Sequence, residues 1–304
     1  MMSKNGNKRE YFIDGTMQYQ QVGYAVHKDE IFPVYFADIV ASRGVLLNDS
    51  FRIDTWKHSL LVVLPCELKF TEAENNRLKE YVSLWKRYIG DIEITPVYYG
   101  KSSDKIQDAQ EGKSRFKQAK RAVMDTMRSL EKALLDEILD KLGDYDRVYI
   151  DGEFQDGKLN SEAEKKVISI CKRFSLPSLE ERLENGQNLI DETDRSILQL
   201  YRWKDQEDKG HWWTWFLKLR ENPDLANDRL TSDMVQCTIK SEKEPDEETV
   251  RGWSDRLKEL AFPTCYGLDR SRWRTHIYQI YLTELFSKQQ RINILALEQI
   301  VYGK

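Results

Sequence analysis

Two short apolar segments that each end in Asp-Gly constrain the fold of this chain most strongly. They are residues 11–15 (YFIDG) and 148–152 (VYIDG). Aromatic and β-branched residues in such short runs are typical of β-strands. Asp-Gly often begins a turn, so two ordinary turns are one interpretation. The other is that a rigid sheet presents Asp14 and Asp151 at strand ends, where both side chains could bind a metal ion.

The rest of the chain combines further strands with one long helix, which predicts an α/β fold. Apolar residues repeat every three or four positions from 114 to 142, as in an amphipathic helix. Shorter helices are predicted at 72–88 and within 278–302. Residues 177–260 are charged and mostly helical in pattern, so we predict a helical insertion within a single domain spanning 1–304. Further strands are predicted at 22–26, 31–36, 60–64, 92–99 and 167–171.

Composition restricts the class of protein. The 304 residues carry 47 Lys+Arg and 51 Asp+Glu, a net charge of −4, which argues against a histone-like basic nucleic-acid binder. No run approaches the roughly 18 apolar residues that a membrane helix requires, and the N-terminal segment lacks an apolar signal core. The four cysteines show no paired spacing. These features predict a cytoplasmic protein with reduced thiols.

Glu131 is the third carboxylate of interest. It lies four residues after Met127 and three before Leu134, and therefore on or beside the apolar face of the long helix. A carboxylate facing a core is costly unless it is paired or binds a cation. Glu131 could instead lie at the edge of that face or pair with Arg128.

Three carboxylates gathered from two strands and a helix would suit Mg²⁺ or Mn²⁺. These hard cations prefer oxygen ligands and keep several waters that a substrate phosphate can replace. A site of this type activates water for phosphodiester hydrolysis and stabilises the leaving oxygen.

Five segments occur in an order that resembles NurA-type nucleases: IDGT, MRSLEKAL, RVYIDGEF, VISICKRFS and RTHIYQIYL. That family has an RNase H-like fold, partners the HerA hexameric ATPase, and acts on DNA ends with a divalent cation, usually manganese. The resemblance implies an RNase H-like mixed sheet with flanking helices. It also implies a metal-dependent deoxyribonuclease, working as a homodimer with a HerA-like hexameric ATPase in DNA end processing or antiphage defence.

The resemblance assigns roles to individual residues. It implies that Asp14, Glu131 and Asp151 are catalytic residues that bind Mn²⁺ or Mg²⁺. Lys172 resembles the family's lysine after the VISIC strand and, with Arg173, is expected to approach a DNA phosphate.

The C-terminal motif departs from the family pattern. Tyr278 resembles its tyrosine and is expected to contact DNA, but Gln279 and Phe286 replace the usual proline and histidine. The nearby substitutes are His276 and Glu284. His276 is expected to ligate the metal or stabilise the leaving group, or to be a hydrogen-bonded structural residue. Glu284 is expected on the helix surface.

Two basic clusters and one aromatic cluster suit DNA. Cations beside an aromatic residue can bind a phosphate backbone and a stacked base. The alternatives are a solvated helix face, ordinary salt bridges and, for the tryptophans, core packing. The clusters are Lys113, Arg115, Lys117, Lys120 and Arg121; Arg270, Arg272 and Arg274 around Trp273; and Trp212, Trp213 and Trp215.

Other nucleotide chemistry is not indicated. The chain has no P-loop and no GxGxxG, so any ATP hydrolysis would come from a partner. Two other hypotheses remain: a catalytically inactive subunit that binds DNA or a partner, and a nuclease acting on RNA or an RNA–DNA hybrid.

Overall fold

The fold is an α/β structure with a mixed β-sheet, as predicted. In the part of the chain that it describes, the computed structural model has nine strands and three helices. The predicted helix at 72–88 lies almost entirely outside the described residues. Those residues are 8–27, 29–66, 83, 94–100, 111–152, 166–172, 199–201, 212–220, 234–241, 243–261 and 276–292.

The strands form one sheet in the order β4-β3-β2-β1-β5-β6-β9-β8-β7. Pairing is parallel for β1–β5, β5–β6 and β3–β4, and antiparallel for β6–β9, β9–β8 and β8–β7. The strands are β1 Arg9–His27, β2 Glu30–Leu47, β3 Ser50–Pro65, β4 Ile94–Tyr99, β5 Arg147–Asp151, β6 Val167–Cys171, β7 Gln199–Tyr201, β8 Trp212–Lys218 and β9 Met234–Lys240. The helices are α1 Glu111–Leu139, α2 Glu247–Leu260 and α3 Tyr278–Gln289.

The turn predicted at Asp14-Gly15 is wrong, whereas the one at Asp151-Gly152 is confirmed. β1 continues through Gly15 to His27, and the connection to β2 contains Asp29 with φ 65°. β5 ends at Asp151, and Gly152 adopts φ +99°, a conformation that favours glycine. The two segments differ because β1 has β2 as a second neighbour in the sheet and extends beyond its pairing with β5.

The helical pattern predicted for 177–260 is wrong for most of the described residues. They form β7, β8 and β9, and only α2 is helical. β8 (WWTWFLK) and β9 (MVQCTIK) are buried along nearly their whole length. β8 is buried on both faces and therefore lacks the apolar–polar alternation that separates strands from helices in a sequence, whereas β9 keeps this alternation over residues 235–240 (VQCTIK).

The chain divides into two compact units. The first comprises Met1–Asp14, Arg43–Thr55 and Leu135–Leu285, so it contains the whole of 177–260. The second comprises Gly15–Ser42, Trp56–Leu134 and Phe286–Lys304. The single domain with an insertion stays a prediction.

The core of the first unit contains the tryptophans of β8. Trp215 is fully buried and stacks on Trp253 of α2, with ring centroids 5.9 Å apart. Its indole Nε1 donates a hydrogen bond to Ser254 Oγ at 3.1 Å. Trp212 and Trp213 are also buried. Core packing, rather than base stacking, therefore accounts for this cluster.

The core of the second unit is built against α1. Ala119 and Val123 are fully buried and pack with Tyr35, Ile39 and Leu61 of the sheet. This contact explains the apolar periodicity of the helix, because residues three or four apart share one face.

No helix among the described residues is both long enough and apolar enough to cross a membrane.

A buried ion pair fastens α2 to β1 in the first unit. Glu10 is 2% exposed, and Arg256 Nε donates to both of its carboxylate oxygens at 3.0 Å. Lys8 Nζ lies 3.1 Å from Glu10 Oε1, and the Tyr149 hydroxyl donates to the same oxygen. Burial acts to raise the pKa of Glu10, but Arg256 and Lys8 hold it below its ordinary value.

Replacing Arg256 with Met should lower the free energy of unfolding by about 3 kcal/mol at pH 7, because it leaves a buried carboxylate poorly compensated. The lowered pKa of Glu10 means that the pair stabilises the fold above about pH 4.3 and that this contribution is lost as pH falls through the folded-state pKa. Urea unfolding of both proteins between pH 7 and pH 3 should show the difference shrinking in acid. A difference that is constant with pH would contradict this account.

Candidate functional site

Asp14, Asp151 and Lys172 lie together in the first unit at the edge of the sheet where β5 and β6 end, although β1 continues past Asp14 to His27. In the parallel pair β1–β5, Ile13 lies opposite Ile150, so Asp14 and Asp151 are the next residues in that register. In the parallel pair β5–β6, Asp151 lies opposite Ile170. The carboxyl ends of parallel strands are a common place for ligand sites in α/β proteins.

The Lys172 ammonium is directly bound to one of these carboxylates. Lys172 is two residues beyond Ile170, and side chains two residues apart in an extended chain share a face, which brings Lys172 to Asp151. Its Nζ donates to Asp151 Oδ2 at 2.6 Å. The side chains are 17% and 19% exposed, so solvent still reaches the pair.

Three carboxylates act on the Lys172 ammonium. Burial acts to lower the pKa of Lys172, but Asp151, Asp14 and Glu284 outweigh it and raise the pKa above its ordinary value. Lys172 is therefore a permanent cation at neutral pH. Asp14 is 5% exposed, so one of these acids is almost wholly removed from water.

Glu284 acts on this site more directly than the sequence predicted. It is half-buried on α3 rather than a surface residue, and its charge acts on Lys172. Ile280, Thr283 and Ser287 are fully buried on the same helix. That spacing was the available signal, because Glu284 is four residues after Ile280 and three before Ser287, positions that share one face of a helix.

Glu131 lies on the buried face of α1, as predicted from its position beside the apolar residues. It is 8% exposed. A Cβ atom added to Gly15 would lie 2.5 Å from Glu131 Oε1 and 2.9 Å from Met127 Cγ. Glycine at position 15 therefore makes room for the Glu131 carboxylate, directly after Asp14 in the chain.

The residues of the C-terminal motif have mainly packing contacts. His276 is 3% exposed, its carbonyl oxygen accepts from Arg220 at 2.9 Å, and its ring packs edge-on to Tyr281. Phe286, at the position of the family histidine, packs against Trp56 in the second unit. Tyr278 is half-buried at the start of α3.

Several predicted DNA-binding residues lie outside the described residues, namely Arg173, Arg270, Arg272 and Arg274.

The donor types at this sheet edge suit a hard divalent cation, since carboxylate oxygens are the ligands that Mg²⁺ and Mn²⁺ prefer. Across the described ranges, however, no group of three or more His, Cys, Asp or Glu side chains is arranged to hold a metal ion. At Asp151, the charge that faces the carboxylate is the Lys172 ammonium.

A comparison with solved structures shows a weak likeness to a nuclease. No protein-family model matches the chain, and no curated protein matches it. The crystal structure of the NurA nuclease from Sulfolobus solfataricus is similar over 93% of this chain and 79% of that chain, with 14% sequence identity and a TM-score of 0.43. The function is therefore inferred from the side chains of this protein.

Replacing Gly15 with Ala should displace the Glu131 carboxylate, because the new methyl group and Oε1 cannot both keep their positions. We expect the free energy of unfolding to fall by about 1–3 kcal/mol, the usual range for an overpacked site. The double variant Gly15→Ala, Glu131→Ala should recover most of this loss. The measurement is urea unfolding.

Gly23→Ala is the matched control, since its added Cβ meets no atom within 4 Å. Equal losses in Gly15→Ala and Gly23→Ala, or no recovery in the double variant, would show that Glu131 does not determine the residue at position 15.

Proposed function

We propose that this chain is a divalent-metal-dependent DNA nuclease that hydrolyses phosphodiester bonds at or near DNA ends. The observation that carries the proposal is the in-register placement of Asp14 and Asp151 on neighbouring parallel strands, beside the Lys172 cation. We assign Asp14, Asp151 and Glu131 as the residues that hold Mn²⁺ or Mg²⁺.

The donor set supports this assignment even without three gathered protein ligands. Mg²⁺ is commonly held by one or two carboxylates, with waters and substrate phosphates completing its coordination. A bound cation of this kind supplies an activated water and stabilises the leaving oxygen. Asp14 and Asp151 are suited to hold it because a paired sheet fixes their backbone positions.

Lys172 has a separate role in the proposal. Its pKa is raised, so it stays protonated and acts as a hydrogen-bond donor rather than as a base. A cation held by Asp151 would compete with the ammonium for that carboxylate, and Lys172 could then donate a hydrogen bond to a DNA phosphate. Lys172 would thus balance the charge of the acids before substrate binds and the charge of the phosphate afterwards.

The packing of His276 favours a structural role for this residue. Its backbone carbonyl oxygen is bound by Arg220 and its ring is buried against Tyr281. The acid–base work is therefore assigned to water and to the carboxylates, with Glu284 as the further candidate on α3.

The wider biological setting rests on the sequence resemblance to NurA-type nucleases. It extends the proposal to an RNase H-like domain, a homodimer, and a HerA-like hexameric ATPase partner in end processing or antiphage defence. The acidic net charge of −4 agrees with such a division of labour, because weak DNA binding by this chain would be supplemented by a partner that engages the duplex.

One observation favours the alternative of a catalytically inactive DNA- or partner-binding subunit. Lys172 already satisfies Asp151 at 2.6 Å, as a structural ion pair would. Calorimetric titration with Mn²⁺ separates the two functions. Heat of binding that is lost in Asp151→Asn supports the nuclease, whereas no binding by the wild-type chain supports the inactive subunit.

Asp14→Asn and Asp151→Asn should each reduce Mn²⁺-dependent cleavage of linear DNA by about a hundredfold or more, because each removes a charged ligand. The assay compares linear and circular DNA with Mn²⁺, Mg²⁺ or chelator, with and without a HerA-like ATPase. Asp144→Asn is the control, since the Asp144 side chain is 96% exposed. Undiminished cleavage by both site variants would refute the assignment.

A further inference from the structure

One face of α1 presents four exposed residues in its N-terminal half. They are Phe116, Lys117, Lys120 and Arg121, and together we call them the basic face. Positions 117, 120 and 121 are three and four residues apart, so their side chains are neighbours on the helix surface. Phe116 is 44% exposed, so part of an aromatic ring is open to solvent beside these three cations.

The neighbouring Arg115 is not part of this face, because its side chain is bound within the protein. Arg115 NH1 donates to the carbonyl oxygen of Ile31 at 2.9 Å, and the guanidinium lies 4.3 Å from the centre of the Phe32 ring. Its side chain is only 13% exposed. Arg121, by contrast, is 81% exposed, and Asp125 approaches it only to 3.9 Å at the surface. Such a contact contributes little to stability and is easily exchanged for another anion.

The basic face leads along α1 toward Glu131. Lys120 and Glu131 are eleven residues apart, which is three helical turns plus about 20° of rotation, so both lie on nearly the same side of the helix. The separation along the axis is about 16 Å at 1.5 Å per residue. Met127, which also packs against Gly15, lies on this side between them. Both ends of the path belong to the second unit.

The Phe116 ring packs against two tyrosines and is partly exposed to solvent. It contacts Tyr19 and Tyr35, with ring centroids 5.6 Å and 6.0 Å away. These tyrosines pack in the core of the second unit, so the phenyl ring has a fixed orientation while nearly half of its surface meets solvent. A fixed, exposed aromatic ring beside cations suits an unpaired base with its phosphates.

We infer that the basic face binds single-stranded DNA, with Phe116 stacking on a base and Lys117, Lys120 and Arg121 binding phosphates. The inference rests on the proposed function in one respect, namely the number of nucleotides between the basic face and the proposed metal ligand Glu131. At the ~3.4 Å spacing of phosphates along a stacked strand, about 16 Å places these contacts about five nucleotides from the phosphate at Glu131, and fewer for an extended strand.

The test measures equilibrium binding of a fluorescent dT20 oligonucleotide in chelator, so that no cleavage occurs. The wild-type chain is compared with the triple variant Lys117→Gln, Lys120→Gln, Arg121→Gln over a range of salt concentrations. Each phosphate contact on single strands contributes about 0.7 to the slope of log K against log salt, so the slope should shrink by about 2 in the triple variant. The matched control replaces three exposed cations elsewhere, Lys141, Lys243 and Arg251, with Gln and should keep the wild-type slope.

Phe116→Leu tests the stacking contact while keeping an apolar side chain against Tyr19 and Tyr35. It should weaken dT20 binding by about tenfold and leave duplex binding unchanged, since stacking on an aromatic ring requires an unpaired base. Tyr24→Leu is the control, because Tyr24 is 68% exposed but lies on β1.

The outcomes separate this inference from the proposed nuclease activity. An unchanged salt slope in the triple variant, an equal loss in the control triple, or absence of dT20 binding by the wild-type chain overturns the basic face, whatever the cleavage assay shows. If the triple variant shows the expected change in salt slope but the wild-type chain cleaves no DNA, the basic face is supported and the proposed nuclease activity is refuted.

Discussion

The parallel pairing of β1 with β5 and of β5 with β6 is the constraint on which the candidate site depends. This register brings Asp14 and Asp151 to adjacent positions and places Lys172 on the face of Asp151. A shift of one residue in either pairing would turn one of these side chains to the other face of the sheet. The buried pair of Glu10 and Arg256 fastens the start of β1 and so helps to hold the register.

Three carboxylates act on a single ammonium group at this site, that of Lys172. Asp14 is nearly buried, and a negative charge there would be costly without a counter-charge. The Lys172 ammonium supplies that charge in the structure. In the proposed nuclease, Asp14 and Asp151 would hold a divalent cation that supplies this positive charge, and Lys172 would be available to the substrate.

Sequence predicted the α/β class, the long helix, the buried position of Glu131 and the strands that carry Asp14 and Asp151. These are local properties of periodicity and composition. It failed for β8, because a strand buried on both faces shows no alternation, and it overlooked the alternation that β9 does have over residues 235–240. It named Glu284 but expected it on the helix surface, although the Glu284 charge acts on Lys172, and it allowed a turn at Asp14-Gly15 because the partner β2 cannot be recognised locally. The length of β1 and the surroundings of Glu284 depend on residues that are far away in the sequence, which local patterns do not reveal.

The central claim is that a divalent cation replaces the Lys172 ammonium at the carboxylates of the sheet edge. Anomalous diffraction from crystals of the full chain grown with Mn²⁺ tests it most directly. The account predicts a manganese peak beside the Asp14 and Asp151 carboxylates, with Lys172 Nζ withdrawn from its 2.6 Å contact with Asp151. A contact that persists at that distance, with no manganese peak at these carboxylates, would contradict the account.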